Sequence, residues 1–282
     1  MSVALPDYLK VPASQLGQGT TVEVTIKSDL ASIAQAVADD MFSEISLAKE
    51  AGQDVTLIIP VGPVDQFSIL ARMVNERRIS LRDVCLVNMD EYLTDDDEWI
   101  PAEHPLSFRG YMDRQFYSLL DPALAPSPEN RVFPDPKKCG AIQKRIDERG
   151  GVDACFGGIG INGHIAFNEP PEPGEIVSAE EFSALPTRVL SLSRETRTIN
   201  SVTVGGEISI LPRRAVTVGM KEILAARRLR FYCNRPWQSA VVRRALHGPV
   251  GSDCPASFLQ THPNAFLTVA DFVARPPTIE LR

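Results

Sequence analysis

Asp153-Ala-Cys-Phe-Gly-Gly-Ile-Gly-Ile-Asn-Gly-His-Ile-Ala-Phe-Asn-Glu-Pro170 begins as a short, mostly apolar run and ends in a loop with a histidine and a carboxylate. The run suits a buried parallel strand. The glycines Gly157, Gly158, Gly160 and Gly163 then let the backbone turn tightly and approach a ligand closely. His164 and Glu169 lie five residues apart, a spacing at which a loop can bring them together for proton relay. A structural strand-to-helix turn carrying a polar pair is the alternative reading. No acidic residue at a following strand completes a dinucleotide-binding fingerprint, and GxxxxGK[ST] is absent, so nucleotide binding has little support.

Outward from this segment, short apolar runs alternate with amphipathic stretches. That alternation predicts an α/β fold, Rossmann-like, with three α/β/α layers around a mostly parallel sheet. Helical spacing predicts a helix from Leu30 to Lys49, with Ser28 and Asp29 as caps. A strand over Val55 to Ile59, a helix over Gln66 to Glu76 and a strand over Val84 to Val87 follow. Later strands are expected at Ala154 to Phe156, Ala215 to Val218 and Leu229 to Tyr232, and helices near Ile142 to Arg149 and Trp237 to Leu246. Residues 1–24 read as an N-terminal extension and 25–282 as a single domain, with no linker and no internal repeat.

The Val84–Val87 strand delivers Asn88-Met-Asp-Glu-Tyr92 at its carboxyl end, where open α/β sheets place their ligands. Asp90 and Glu91 are adjacent, so one can face a cleft while the other holds the frame. A turn or helix cap is the alternative for an aspartate here.

Together the two segments resemble the glucosamine-6-phosphate deaminase/isomerase family, whose hallmarks are similar to NMDEY and GxGxxGHIxFNEP in this order and separation. The resemblance continues through Glu103-His-Pro-Leu-Ser-Phe108, Glu195-Thr-Arg-Thr-Ile-Asn-Ser201, Ala215-Val-Thr-Val-Gly219 and Ser257-Phe-Leu-Gln-Thr-His-Pro263, about residues 25 to 280. It implies that Asp90 moves a proton between C1 and C2 of an open-chain sugar, that His164 and Glu169 assist ring opening, and that Asn162 orients the histidine. Candidates for substrate binding are Gly62, Glu91, Gly158, Gly160, Gly163 and Arg197. The expected partner is a small-molecule sugar or amino sugar. Neither a cofactor nor a metal is expected. Interconversion of an aldose and a ketose needs one carboxylate that takes a weakly acidic proton and returns it one carbon away. A 6-phosphogluconolactonase-like hydrolase of the same broad fold, and a non-catalytic sugar sensor, are the competing functions.

The departures from the family pattern matter as much. Asn162 stands where the deaminases often carry aspartate, which predicts a less basic histidine. The segment Pro60-Val-Gly-Pro-Val-Asp-Gln-Phe67 lacks the threonine of the family's phosphate loop and brings Asp65 near a helix start, where it would repel a dianion. Val202 replaces an expected arginine, and an expected lysine falls near Trp237 or Gln238. These losses predict a substrate without a 6-phosphate. Arg235, Arg194, Arg197 and Arg109 are the candidate replacement cations, and Trp237 suits stacking on a sugar or burial as a core aromatic.

With 282 residues, 44% hydrophobic and 23% charged, the chain can bury a large core. A net charge of −7 argues against a nucleic-acid surface. No apolar run approaches a membrane span, and the amino terminus does not read as a signal peptide. Five cysteines without a CxxC pair and four dispersed histidines suggest neither a disulfide framework nor zinc, so a reducing, cytoplasmic setting is expected. The family includes monomers and hexamers, which leaves self-association open.

Overall fold

The computed structural model describes residues 5–62 and 65–280. Its strands are β1 (Glu23–Lys27), β2 (Thr56–Ile59), β3 (Cys85–Asn88), β4 (Asp90–Leu93), β5 (Arg131–Val132), β6 (Ala154–Gly157), β7 (Arg188–Ser191), β8 (Arg214–Thr217), β9 (Leu229–Cys233) and β10 (Ala265–Ala270). Its α-helices are α1 (Leu30–Glu50), α2 (Gln66–Arg77), α3 (Phe108–Gln115), α4 (Gly140–Glu148), α5 (Ala179–Ser183), α6 (Arg194–Ser201), α7 (Met220–Leu224), α8 (Gln238–His247) and α9 (Asp271–Ala274).

Seven strands form one sheet in the order β1-β10-β9-β6-β2-β3-β5, and every pairing in it is parallel. β2, β3 and β6 are buried at each position, so the sheet is covered on both faces, as apolar runs without alternation require. Helix α1 starts at Asp29, whose side chain accepts from the Ser32 amide, and buries Ile33, Val37, Met41 and Ile45 at helical spacing.

The run Ala215–Val218, expected in the parallel sheet, lies elsewhere. β8 is the centre of a small antiparallel sheet ordered β4-β8-β7. Its composition resembles that of a buried parallel strand, but its partners are set by chain direction, which no local pattern records. β1, β7 and β10 were not anticipated either. β1 is an edge strand with an irregular exposure pattern, and β7 is only half-buried, so neither presents a clear two-residue period.

Residues ahead of β1 dock on the body of the protein. Leu16 and Val22 join the main apolar core, the fully buried Arg243 donates to the Val11 carbonyl at 2.9 Å, and Gly17 donates its amide to His247 at 3.2 Å. Among the described residues no helix is long and apolar enough to cross a membrane.

Candidate active site

Four neighbouring strands of the parallel sheet, β9, β6, β2 and β3, end at one cavity of about 410 Å³. β2 supplies the Pro60–Gly62 turn, β3 leads to Met89 and Asp90, β6 leads to Gly158, Gly160 and His164, and β9 leads to Asn234 and Arg235. This is the edge at which parallel α/β sheets bind ligands.

Asp90 owes its place to a switch between sheets. The Met89 amide still bonds to Ile59 of β2 at 2.9 Å, while its carbonyl accepts from Val218 at 2.7 Å, so the chain leaves the parallel sheet and enters the small one within a residue. Asp90 lines the cavity at 8% exposure, and its carboxyl takes part in no hydrogen bond or ion pair among the described residues. Burial, with the Glu91 charge adding to it, pushes that carboxyl up to about 8.

Glu91, expected among the substrate contacts, does not line the cavity. Successive strand residues face opposite ways, and the Glu91 carboxylate is buried at the start of α3. It accepts from the amides of Tyr92, Phe108 and Arg109, from Ser107 Oγ at 2.9 Å and from Arg109 Nε at 3.3 Å. The frame role belongs to Glu91 and the cavity role to Asp90.

His164 sits over Gly160, where any Cβ would come within 2.0 Å of the imidazole Cε1. Its Nδ1 is 2.8 Å from Asn162 Oδ1. That oxygen also accepts the His164 amide at 3.2 Å, while Asn162 Nδ2 donates to Glu169 Oε2 at 2.6 Å. Both partners dictate the same amide orientation. Nδ1 therefore carries the proton in the neutral ring, and Nε2 is the basic nitrogen. Burial holds the imidazole below its ordinary range, against the raising influence of Glu169.

Glu169 stands behind the histidine rather than in the cavity wall. Its oxygens accept from Asn162, from the amide and hydroxyl of Ser193 and from Thr196 Oγ1, the last two at 2.9 and 3.0 Å. Ser193 also caps α6 by accepting the Thr196 amide. The structure thus gathers Asn162, His164 and Glu169 into one network and brings its histidine to the same cavity as Asp90.

Gly62, Gly158 and Gly160 line the cavity. Gly163 and Arg197 do not. Gly163 has φ +90°, and a Cβ there would meet Cys254 Sγ at 2.7 Å, so it serves packing under the loop. Arg197 donates to the Ile208 carbonyl at 3.3 Å. Arg109 is held by Glu91 and stacks over Trp99, and neither it nor Arg194 lines the cavity. Trp237 lies outside the wall as well. Gln238 belongs to the wall, but its amide is spent on the Ile159 carbonyl and the Arg235 amide, both at 2.7 Å.

Several wall residues escaped sequence reasoning. Tyr92, Phe108 and Phe167 pack as an aromatic group beside the cavity, and Asn200 donates to Tyr92 Oη at 3.0 Å. Phe108 and Asn200 both fall in family-like segments, which was the available signal. Ala166, also in the wall, holds φ 53°, an uncommon conformation for a residue with a side chain. No group of three or more His, Cys, Asp or Glu suited to hold a metal occurs among the described residues.

Comparison with characterised proteins assigns the family. The chain is 28% identical over 266 residues to glucosamine-6-phosphate deaminase of Caenorhabditis elegans, covering 93% of this chain and 92% of that protein. It is 32% identical over 209 residues to the Halothermothrix orenii glucosamine-6-phosphate deaminase, covering 73% and 80%. The chain belongs to the glucosamine-6-phosphate deaminase family. Membership makes it an enzyme of the sugar isomerase and deaminase type. No protein-family model matches. The structure of a monomeric glucosamine-6-phosphate deaminase superposes with a TM-score of 0.76 at 25% identity, covering 90% of this chain and 99% of that one. The 6-phosphogluconolactonase of Thermotoga maritima superposes at 0.64 with 13% identity, over 89% and 100%, and shares the fold.

Proposed function

We propose that this enzyme carries a proton between C2 and C1 of an open-chain amino sugar that lacks a 6-phosphate, with Asp90 as the base. The observation that carries the reading is the buried, unpartnered Asp90 carboxyl in one cavity with the basic edge of His164. His164 Nε2 accepts the O1 proton as the C1–O5 bond breaks and delivers it to the ring oxygen, and the Asn162 and Glu169 network stabilises the imidazolium in between. Asp90 then takes the C2 proton as O1 gains one from solvent, giving an enolamine, and returns the C2 proton to C1. The product is a ketimine, which water hydrolyses to a ketose and ammonia. A substrate with a hydroxyl at C2 stops at the ketose, as a plain isomerisation.

Support for the missing phosphate comes from charge. Val202 is 70% exposed and outside the wall, Gln238 has its amide committed, and Asp65 begins α2. Burial raises the Tyr111 phenol of the cavity wall, the Asp65 amide opposes this, and the Asp65 carboxylate adds to it, which puts that carboxylate's field beside the cavity. The loop between Gly62 and Asp65 lies outside the described residues. A dianion needs several charge-assisted donors to repay its desolvation.

Solvent deuterium incorporation at C1 or C2, followed by proton NMR, tests the reading on glucosamine and fructose with and without 6-phosphate. Asp90-dependent exchange confined to unphosphorylated sugars is expected. Exchange confined to the 6-phosphates would overturn the phosphate-free part. Lactone hydrolysis without exchange would replace the whole reading with a hydrolase.

A further inference from the structure

Arg235 is the single Lys or Arg in the cavity wall among the described residues. Its guanidinium has no hydrogen-bond or ion-pair partner among them, whereas Arg109, Arg214, Arg228 and Arg230 all engage carboxylates. Its backbone is nonetheless fixed. The Arg235 amide donates to Gln238 Oε1 at 2.7 Å, β9 ends two residues before it, and Pro236 follows. An arginine with a pinned backbone and an uncommitted head in a ligand cavity is a donor fork awaiting an acceptor.

The sheet order says where that acceptor sits. β9 and β3 are separated by β6 and β2, so Arg235 and Asp90 emerge three strand spacings apart. At ~4.8 Å per spacing this is roughly 14 Å between backbones. An extended arginine side chain, a short aspartate side chain and an open six-carbon chain together bridge such a gap. With C1 and C2 at Asp90, the far end of the sugar meets Arg235.

We infer that Arg235 reads a single carboxylate at the end of the substrate remote from the reacting carbons, so that the substrate is an acidic amino sugar of the amino-uronate class. The inference deepens the reading above and rests on it. One guanidinium matches one carboxylate in number of charges and in planar, two-point geometry. A phosphate dianion would keep a charge unmet. A neutral terminal hydroxyl would leave the guanidinium without an anion in a wall otherwise rich in apolar groups, including Leu106, Phe108 and Leu211.

Three probes that differ only at C6 test this: glucosamine, glucosamine 6-phosphate and 2-amino-2-deoxyglucuronic acid. Each is titrated calorimetrically and assayed for deuterium exchange with the wild-type chain, Arg235→Leu and Arg235→Lys. The uronate is expected to bind tightest. Arg235→Leu should raise its KM about 10-fold or more with a smaller change in kcat, and should weaken glucosamine markedly less, with a thermal melt to certify folding. Arg235→Lys should recover part of the loss. Tighter binding of the 6-phosphate, no uronate binding, or an equal loss for all three probes would overturn the inference. Exchange with glucosamine alone would leave the isomerase reading standing while this one fell. Arg235-dependent uronate binding with no exchange in any probe would do the reverse.

Discussion

Asn162 Oδ1 lies 2.8 Å from His164 Nδ1 and fixes which imidazole nitrogen is basic. It does so without a negative charge, because its own amide is held by Glu169 at 2.6 Å on the other side. A neutral acceptor orients the ring but stabilises the imidazolium less than a carboxylate would.

Asn162→Asp is therefore expected to raise the His164 titration. The new carboxylate would face Nδ1 directly and add a negative charge beside the ring, against repulsion from Glu169 on its other side. The His164 Cε1 proton signal, followed by NMR, should titrate at higher pH, and the lower-pH part of the rise in exchange rate should move with it. An unmoved titration would show that burial alone, the first cause of the lowered value, sets the histidine.

The upper part of the same rise with pH belongs to Asp90. A base must be ionised to work, so the exchange rate should climb as pH rises and level off above about 8. Asp90→Asn should remove the exchange by about 10²–10⁴-fold.

The same shift predicts an effect on stability. The folded Asp90 keeps its proton up to about 8, whereas an unperturbed aspartate releases it near 3.8. The folded state binds more protons across that interval, so the group penalises folding progressively as pH rises through it, and fully above it. Asp90→Asn should match the wild type near pH 4 and exceed it at pH 9, by on the order of a few kcal/mol, or ~2–4 °C in Tm for each. Thermal melts at the two pH values measure the difference, and equal melts at pH 9 would count against a strained carboxyl.

Much of this site was legible because its chemistry and its backbone coincide. The Asp153–Pro170 run declared a buried strand, a turn and a polar group in one segment, and the structure puts β6 and His164 there. The NMDEY run offered two neighbouring carboxylates and left their division of labour open. That division depends on which face of β4 meets Ser107 and α3, a contact 16 residues away. Gly163 looked like a ligand contact for the same reason that Gly160 did, and only the approach of Cys254 separates the two. Arg197 and Arg235 were equally good cations on paper. The carbonyl of Ile208 claims the first, and the end of β9 frees the second.

Gly160 offers a local test of the histidine's placement. A methyl group there would meet His164 Cε1 and Nε2 at 2.0 and 2.1 Å, so the imidazole, not the backbone, must move. Gly160→Ala should lower kcat for exchange by about 10²-fold through misplacement of the ring, at a stability cost under ~1.5 kcal/mol. Steady-state kinetics with a thermal melt separates this from unfolding. Wild-type kcat would mean that the ring is not where the chemistry needs it.

Glu91 closes the connection between frame and chemistry. Its carboxylate gathers five donors at the start of α3, among them the Arg109 guanidinium. Glu91→Gln would point an N–H at some of these donors and leave Arg109 without its anion, a loss of about 3 kcal/mol or more in denaturant unfolding. The charge of Glu91 also raises the Asp90 carboxyl, after burial. Removing it should lower that titration and shift the rise of the exchange rate to lower pH. A destabilised variant whose rate profile is unmoved would confine Glu91 to the frame, while a shifted profile would show the frame residue tuning the base beside it.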